Sequence, residues 1–144
     1  ELMIKSSKCK YIIIRTAWVY SEYGNNFLKT MLNIGSKTSD VRIVDDQLGS
    51  PTYAQDIAKC IIKILPQLDT IKQSGIYHFC GDKSRTWFDF AKSIFEEAKA
   101  YQIKIPNDIK PIKTSSYPTI AKRPSYSVLE CSKIKNVFQQ SENY

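Results

Sequence analysis

The sequence predicts an α/β domain built on a mostly parallel sheet. Short apolar, β-branched runs alternate with longer stretches of helical apolar spacing, in the order strand–helix–strand–helix–strand–helix. Capping-type residues stand just ahead of the helical stretches. With 144 residues, the chain is long enough for one domain with a real core. Its 42% hydrophobic and 24% charged residues match an ordinary globular protein.

Residues 11–15 (YIIIR) form the first predicted strand. Asn25 and Asn26 suit a helix start, because short amides cap free backbone N–H groups. The helix carries Phe27, Leu28, Met31 and Leu32 on one face, with Gly35 near its end. Residues 41–44 form a second strand, followed by the loop DDQLGSPT at 45–52. Thr52 and Gln55 have the spacing of a capping box. Behind them Ala54, Ile57, Ala58, Ile61, Ile62 and Leu65 repeat at helical spacing until Pro66. Residues 67–74 are a polar loop, and 76–80 a third strand ended by Gly81. Thr86 with Asp89 repeats the capping logic for a helix lined by Trp87, Phe90, Ala91, Ile94, Phe95 and Ala98. Four of the six prolines fall in 101–124, which predicts extended segments and turns there. SVLECSKIKNVF near the end suits a short helix capped at Ser132.

Charge and cysteine usage narrow the function. The net charge of +7 fits a Lys-rich solvated surface or an anionic partner such as a nucleotide or sugar phosphate. The lysines are spread along the chain, which argues against nucleic acid. No apolar run reaches the length of a membrane span. The four cysteines form no C-x-x-C pair and there is one His, so no metal site is expected. Cys60 and Cys80 read as buried free thiols of a reducing cytoplasm. Glu1 rather than Met opens the chain, which predicts an excerpt of a longer protein.

Ligands of such sheets sit at the carboxyl ends of the strands. The loop after the first strand, RTAWVYSEYGNNF, is dense in aromatic and amide groups. Trp18 offers either a core ring covering the sheet edge or a flat platform for a sugar or nicotinamide. Asn25 and Asn26 are either helix caps or part of a phosphate site. Asp45 and Asp46 fit a solvated loop better than a paired-carboxylate centre. Arg123, in AKRPSY, is either a surface residue or a two-point clamp on a diphosphate. There is no G-x-G-x-x-G, P-loop or G-x-S-x-G motif, and one His makes no triad. These are the parts of a binding portion without a catalytic centre.

Five blocks, RTAWVYSEYGNNFLKTML, IVDDQLGSPTYAQDIA, GIYHFCGD, WFDFAKSIFEEA and AKRPSYSVLECSKI, follow in order. Together they resemble the C-terminal half of the dTDP-4-dehydrorhamnose reductases, which are extended short-chain dehydrogenase/reductases. The resemblance covers about residues 2–135. It implies that residues 1–144 hold the last strands of a Rossmann-type sheet and a small substrate-binding subdomain, without the N-terminal cofactor-binding part. It implies reduction of the 4-keto group of dTDP-4-dehydro-L-rhamnose by NADPH or NADH, in the cytoplasm, to feed polysaccharide synthesis. The family's catalytic Tyr-x-x-x-Lys has no counterpart here: Tyr53 meets Ile57 at that spacing, and no catalytic residue is assigned to this chain.

By the same resemblance Trp18 packs beside the deoxysugar. Asn26 and Phe27 touch the pyrophosphate, Val44 lines the base and Arg123 reaches the diphosphate. Gly49, Ser50 and Pro51 shape their loop without touching ligand. The alternatives are a non-catalytic regulatory or binding subunit of the same fold, another nucleotide-sugar enzyme such as an epimerase or dehydratase, or a nucleic-acid module. Missing sheet neighbours also predict a homo-oligomer or swapped dimer of the isolated chain.

Overall fold

The computed structural model describes residues 1–68, 74–117 and 119–138. In chain order the elements are α1 (Leu2–Ser6), β1 (Ile12–Arg15), β2 (Val19–Tyr20), α2 (Phe27–Lys37), β3 (Asp40–Val44), β4 (Leu48–Gly49) and β5 (Thr52–Tyr53). They continue with α3 (Ala54–Ile64), β6 (Gly75–His78), β7 (Arg85–Thr86), α4 (Trp87–Ala100), β8 (Asp108–Ile112) and α5 (Ser132–Phe138). Short 3₁₀ turns cover Leu65–Gln67, where Pro66 ends α3, and Thr114–Ser116. No described helix is long and apolar enough to cross a membrane.

The expected α/β class holds, but the strands do not form one sheet. They make four two-stranded pairs. Three pairs are parallel (β1–β6, β2–β5 and β3–β8), and β4–β7 is antiparallel. The first and third expected strands pair with each other, Ile12 opposite Gly75 and Arg15 opposite His78. The second pairs instead with β8, Val44 opposite Ile112. The composition of β8, DIKPI with two charges and Pro111, predicts only an extended segment. An edge strand tolerates a residue without an N–H donor.

Two cores result. One joins α2, β3 and α4 through Met31, Val41, Ile43, Phe90, Ala91, Ile94 and Phe95. The other joins α3, β6 and α5 through Cys60, Ile64, Tyr77, Phe79, Ile134 and Phe138. The face of α4 is the one expected. The face of α3 is rotated from expectation: Cys60 and Ile64 are buried, whereas Ile61, Ile62 and Leu65 are 41%, 65% and 53% exposed. A two-stranded sheet and a seven-residue α5 are too narrow to cover the whole apolar stripe.

The caps divide in the same way. Asn26 caps α2, its side chain accepting from the Lys29 N–H, and Thr86 caps α4 by accepting from the Asp89 N–H. The Thr52–Gln55 box does not form. Tyr53 occupies the cap position of α3 without a side-chain bond. The Thr52 hydroxyl donates to the Ser50 carbonyl and accepts from the Gly81 N–H. Ser132 lies inside α5 rather than capping it, and its N–H donates to the Glu130 carboxylate at 2.7 Å. Gly35 does not terminate α2. It lies where a Cβ would meet Phe95 Cε1 at 2.8 Å and Pro106 Cδ at 2.9 Å, so it lets α4 approach α2 closely. Of the expected 67–74 loop, residues 69–73 lie outside the described residues, as does Pro118.

Candidate functional site

β3 and β8 run parallel and end together at Val44 and Ile112. Just beyond these ends lie Asp45–Gln47 and Thr114, where α/β sheets place ligands. The Asp46 carboxylate accepts from the Thr114 N–H at 2.9 Å and from its hydroxyl at 2.6 Å. Those bonds, the hydroxyl's foremost, hold the Asp46 carboxyl below the ordinary carboxylate range. Asp45 accepts from the Thr86 hydroxyl at 2.7 Å, which ties the same loop to the start of α4. The two acids are therefore tethers of the loop, neither a catalytic pair nor a freely solvated turn.

Gln47 is 6% exposed, and both ends of its amide are used. Its Nε2 donates to Thr114 Oγ1 at 3.0 Å, and its Oε1 accepts from Trp87 Nε1 at 3.2 Å. A buried amide bonded at both ends fixes its neighbours. Trp87 is thereby held at the start of α4, 4.5 Å from the Phe27 ring between centroids.

Around this frame lies a cavity of about 400 Å³, with Phe27, Met31, Val44, Trp87, Thr114 and Arg123 among its walls. That volume is within the range of small-molecule sites. Three of the five residues singled out in the sequence, Phe27, Val44 and Arg123, thus meet on one cavity. The Arg123 guanidinium is exposed and makes no ion pair with any described acid. The walls are largely apolar and aromatic, and two guanidiniums, of Arg42 and Arg123, and the Asp40 carboxylate also line the cavity. A flat ring system joined to an anion fits that arrangement.

Trp18 and Asn26 stand elsewhere. The Trp18 indole stacks on Trp87, one ring removed from the cavity, at 3.4 Å between centroids. Its Nε1 donates to Ser127 Oγ at 3.1 Å. Its backbone has φ +51°, a left-handed conformation that few aromatic residues adopt. A Cβ at Gly49 would overlap this indole, so Gly49 seats Trp18. Asn26 commits its amide to its own neighbourhood. Nδ2 donates to the Ser21 and Tyr23 carbonyls at 2.7 and 3.2 Å, while Oδ1 caps α2. Its place is at the foundation of the Phe27 wall.

Sequence reasoning missed Trp87, Gln47 and Thr114 as parts of this site. Trp87 was visible only as one apolar residue on a helix face. Its polar N–H beside the DDQ loop becomes meaningful once the 40-residue separation from Gln47 is closed. A dinucleotide cradle has no counterpart here. The five glycines stand at 24, 35, 49, 75 and 81, and no helix opens on a glycine-rich turn. The residues present do not fit a nicotinamide dinucleotide by themselves.

Comparison with known proteins agrees with this division. The family model described as the RmlD substrate binding domain matches residues 1–144. A dTDP-4-dehydrorhamnose reductase of Aggregatibacter actinomycetemcomitans is 43% identical over 143 residues, covering 96% of this chain and 48% of the relative. One from Sinorhizobium fredii is 36% identical over 144 residues, covering 96% and 47%. The crystal structure of dTDP-4-dehydrorhamnose reductase from Bacillus anthracis in complex with NADP superposes with a TM-score of 0.83. It is 35% identical, over 94% of this chain and 45% of that one. The chain spans about half the length of the curated relatives it matches. A match along every residue, to a family defined by its substrate-binding domain, shows that this chain belongs to the RmlD substrate-binding-domain family.

Proposed function

We propose that this chain is the nucleotide-sugar-binding portion of a dTDP-4-dehydrorhamnose reductase. The whole enzyme reduces the 4-keto group of dTDP-4-dehydro-L-rhamnose with NADPH or NADH, in the cytoplasm, and yields dTDP-L-rhamnose. One observation carries the reading: Phe27, Val44 and Arg123, which pairs with no described acid, share one cavity beyond the ends of β3 and β8. The names of the reductase relatives support the choice of sugar nucleotide.

Within this reading Val44 lines the base and Phe27 packs near the pyrophosphate. Arg123 clamps the diphosphate through two parallel N–H donors. Trp87 walls the cavity and Trp18 stacks behind it, so Trp18 meets the deoxysugar only where the sugar extends beyond this cavity. Asn26 acts by fixing the first turn of α2, which carries Phe27. The cofactor and the proton donor belong to the half of the relatives' length that this chain does not span. The chain's own contribution is to bind the keto sugar and hold it in one orientation, which removes part of the entropic barrier to hydride transfer.

The test is an assay of NADPH oxidation with dTDP-4-dehydro-L-rhamnose, run on this chain alone and on the full-length protein. Turnover by the full-length protein and none by the chain supports the reading. Turnover by the chain alone contradicts the division of labour, and no turnover by a folded full-length protein contradicts the reductase.

A further inference from the structure

Away from the candidate site, two thiols 51 residues apart in sequence lie in contact. Cys80 Sγ and Cys131 Sγ are 3.5 Å apart, and both reach the Leu129 carbonyl, at 3.7 and 3.6 Å. Cys80 follows β6 and Cys131 directly precedes α5. Cys80 borders a second cavity, of about 480 Å³, shared with Tyr53, Gly81 and Lys83. Cys131 is partly exposed. Cys80 itself is buried, at 8% exposure, so the pair is reached from solvent through this cavity and past the partly exposed Cys131. Cys60 differs: it is wholly buried, and burial pushes its thiol up to about 11.

We propose that Cys80 and Cys131 form a reversible disulfide by exchange with a low-molecular-weight disulfide such as oxidised glutathione. The Cys80 thiolate attacks one glutathione sulfur. A mixed disulfide forms and one glutathione thiolate leaves. Cys131 gives its proton to solvent and attacks Cys80 Sγ, and the second glutathione departs as thiolate. The departing thiolates take up protons, so two protein thiols lose two electrons and one small disulfide becomes two thiols. Forming the bond closes the sulfurs from 3.5 Å to a bond length of about 2.0 Å.

The environment sorts the two roles. The hydrogen bond from Cys131, with a second from Ser50, holds the Cys80 thiol below its ordinary range. The same contact raises Cys131. Cys80, which borders the cavity and ionises more readily, is the attacking thiolate and Cys131 the resolving thiol. The bond would pin the end of β6 to the segment whose Ser127 hydrogen-bonds Trp18 and Leu48.

The experiment uses the full chain with Cys9→Ser, which removes the exposed thiol, incubated with oxidised glutathione at neutral pH. Intact mass and peptide mapping follow. The expected product has lost two hydrogens, carries a Cys80–Cys131 crosslinked peptide and reverts with dithiothreitol. Cys131→Ser should stop at glutathione on Cys80. Cys80→Ser should give neither the loss of two hydrogens nor a crosslinked peptide. A protein that keeps both thiols alkylatable, or accumulates the Cys80 adduct with Cys131 present, overturns the proposal. The crosslinked-peptide readout does not depend on either cysteine variant folding.

Discussion

The indole of Trp18 lies flat on that of Trp87, with ring centroids 3.4 Å apart and planes 5° from parallel. Trp18 leaves β1 and Trp87 opens α4, so this stack joins the two cores' connecting loops to the cavity wall. Trp87 also contacts Phe27 and donates to Gln47. Trp87→Ala should cost about 2–3 kcal/mol, below the value for a fully buried aromatic because Trp87 is partly exposed. Trp87→Phe keeps a ring and loses the Gln47 bond, for about 1 kcal/mol. Urea titrations of both variants check the order.

Gly49→Ala places a methyl group where the Trp18 indole sits. The ring must leave its seat or the β4 backbone must shift, at about 1–3 kcal/mol. Near-UV circular dichroism should lose the coupled-indole signal. An unchanged spectrum with unchanged stability would refute the seating role.

Asn26→Ala removes the cap of α2 and two inward donors. The expected cost is about 1–2 kcal/mol. Asn26→Asp restores the Lys29 N–H bond but not the two donors, and should recover only part of that loss. Thermal unfolding of the three proteins separates cap from loop.

The Asp46 carboxyl is held below the ordinary range by its bonds to Thr114. A lowered folded pKa stabilises the protein above the unfolded value, and the contribution is lost as pH falls below about 4. Asp46→Asn should flatten the acid limb of stability against pH. Equal acid limbs in the two proteins would show that the Asp46 charge contributes nothing.

β1 and β6 pair only with each other among the described strands, and Ile61 and Ile62 on α3 and Leu65 just after it stand exposed. Open strand edges beside an apolar face favour pairing between chains. Light scattering of the isolated chain should show mass rising with concentration. A constant monomer mass would contradict this.

What was legible in the sequence was local. The starts of α2 and α4 were readable because Asn26 and Thr86 bond N–H groups three residues away. The Thr52 cap misled because its hydroxyl is claimed by Gly81, 29 residues on. β8 was not identified as a strand because its pairing with β3 is long-range and its composition is poor for a strand. Phe27, Val44 and Arg123 came from family resemblance and do meet on one cavity. Trp87, Gln47 and Thr114 were invisible as a group because their bonds span 40 to 67 residues.

The proposed function puts the nucleotide diphosphate in the Phe27–Val44–Arg123 cavity. The decisive experiment is calorimetric titration of the full-length protein with dTDP-L-rhamnose, beside Arg123→Ala. Loss of a two-point charged contact should weaken binding by about 2–3 kcal/mol, roughly a hundredfold, with stability unchanged because Arg123 pairs with no described acid. Equal affinity in a folded Arg123→Ala protein would place the diphosphate elsewhere.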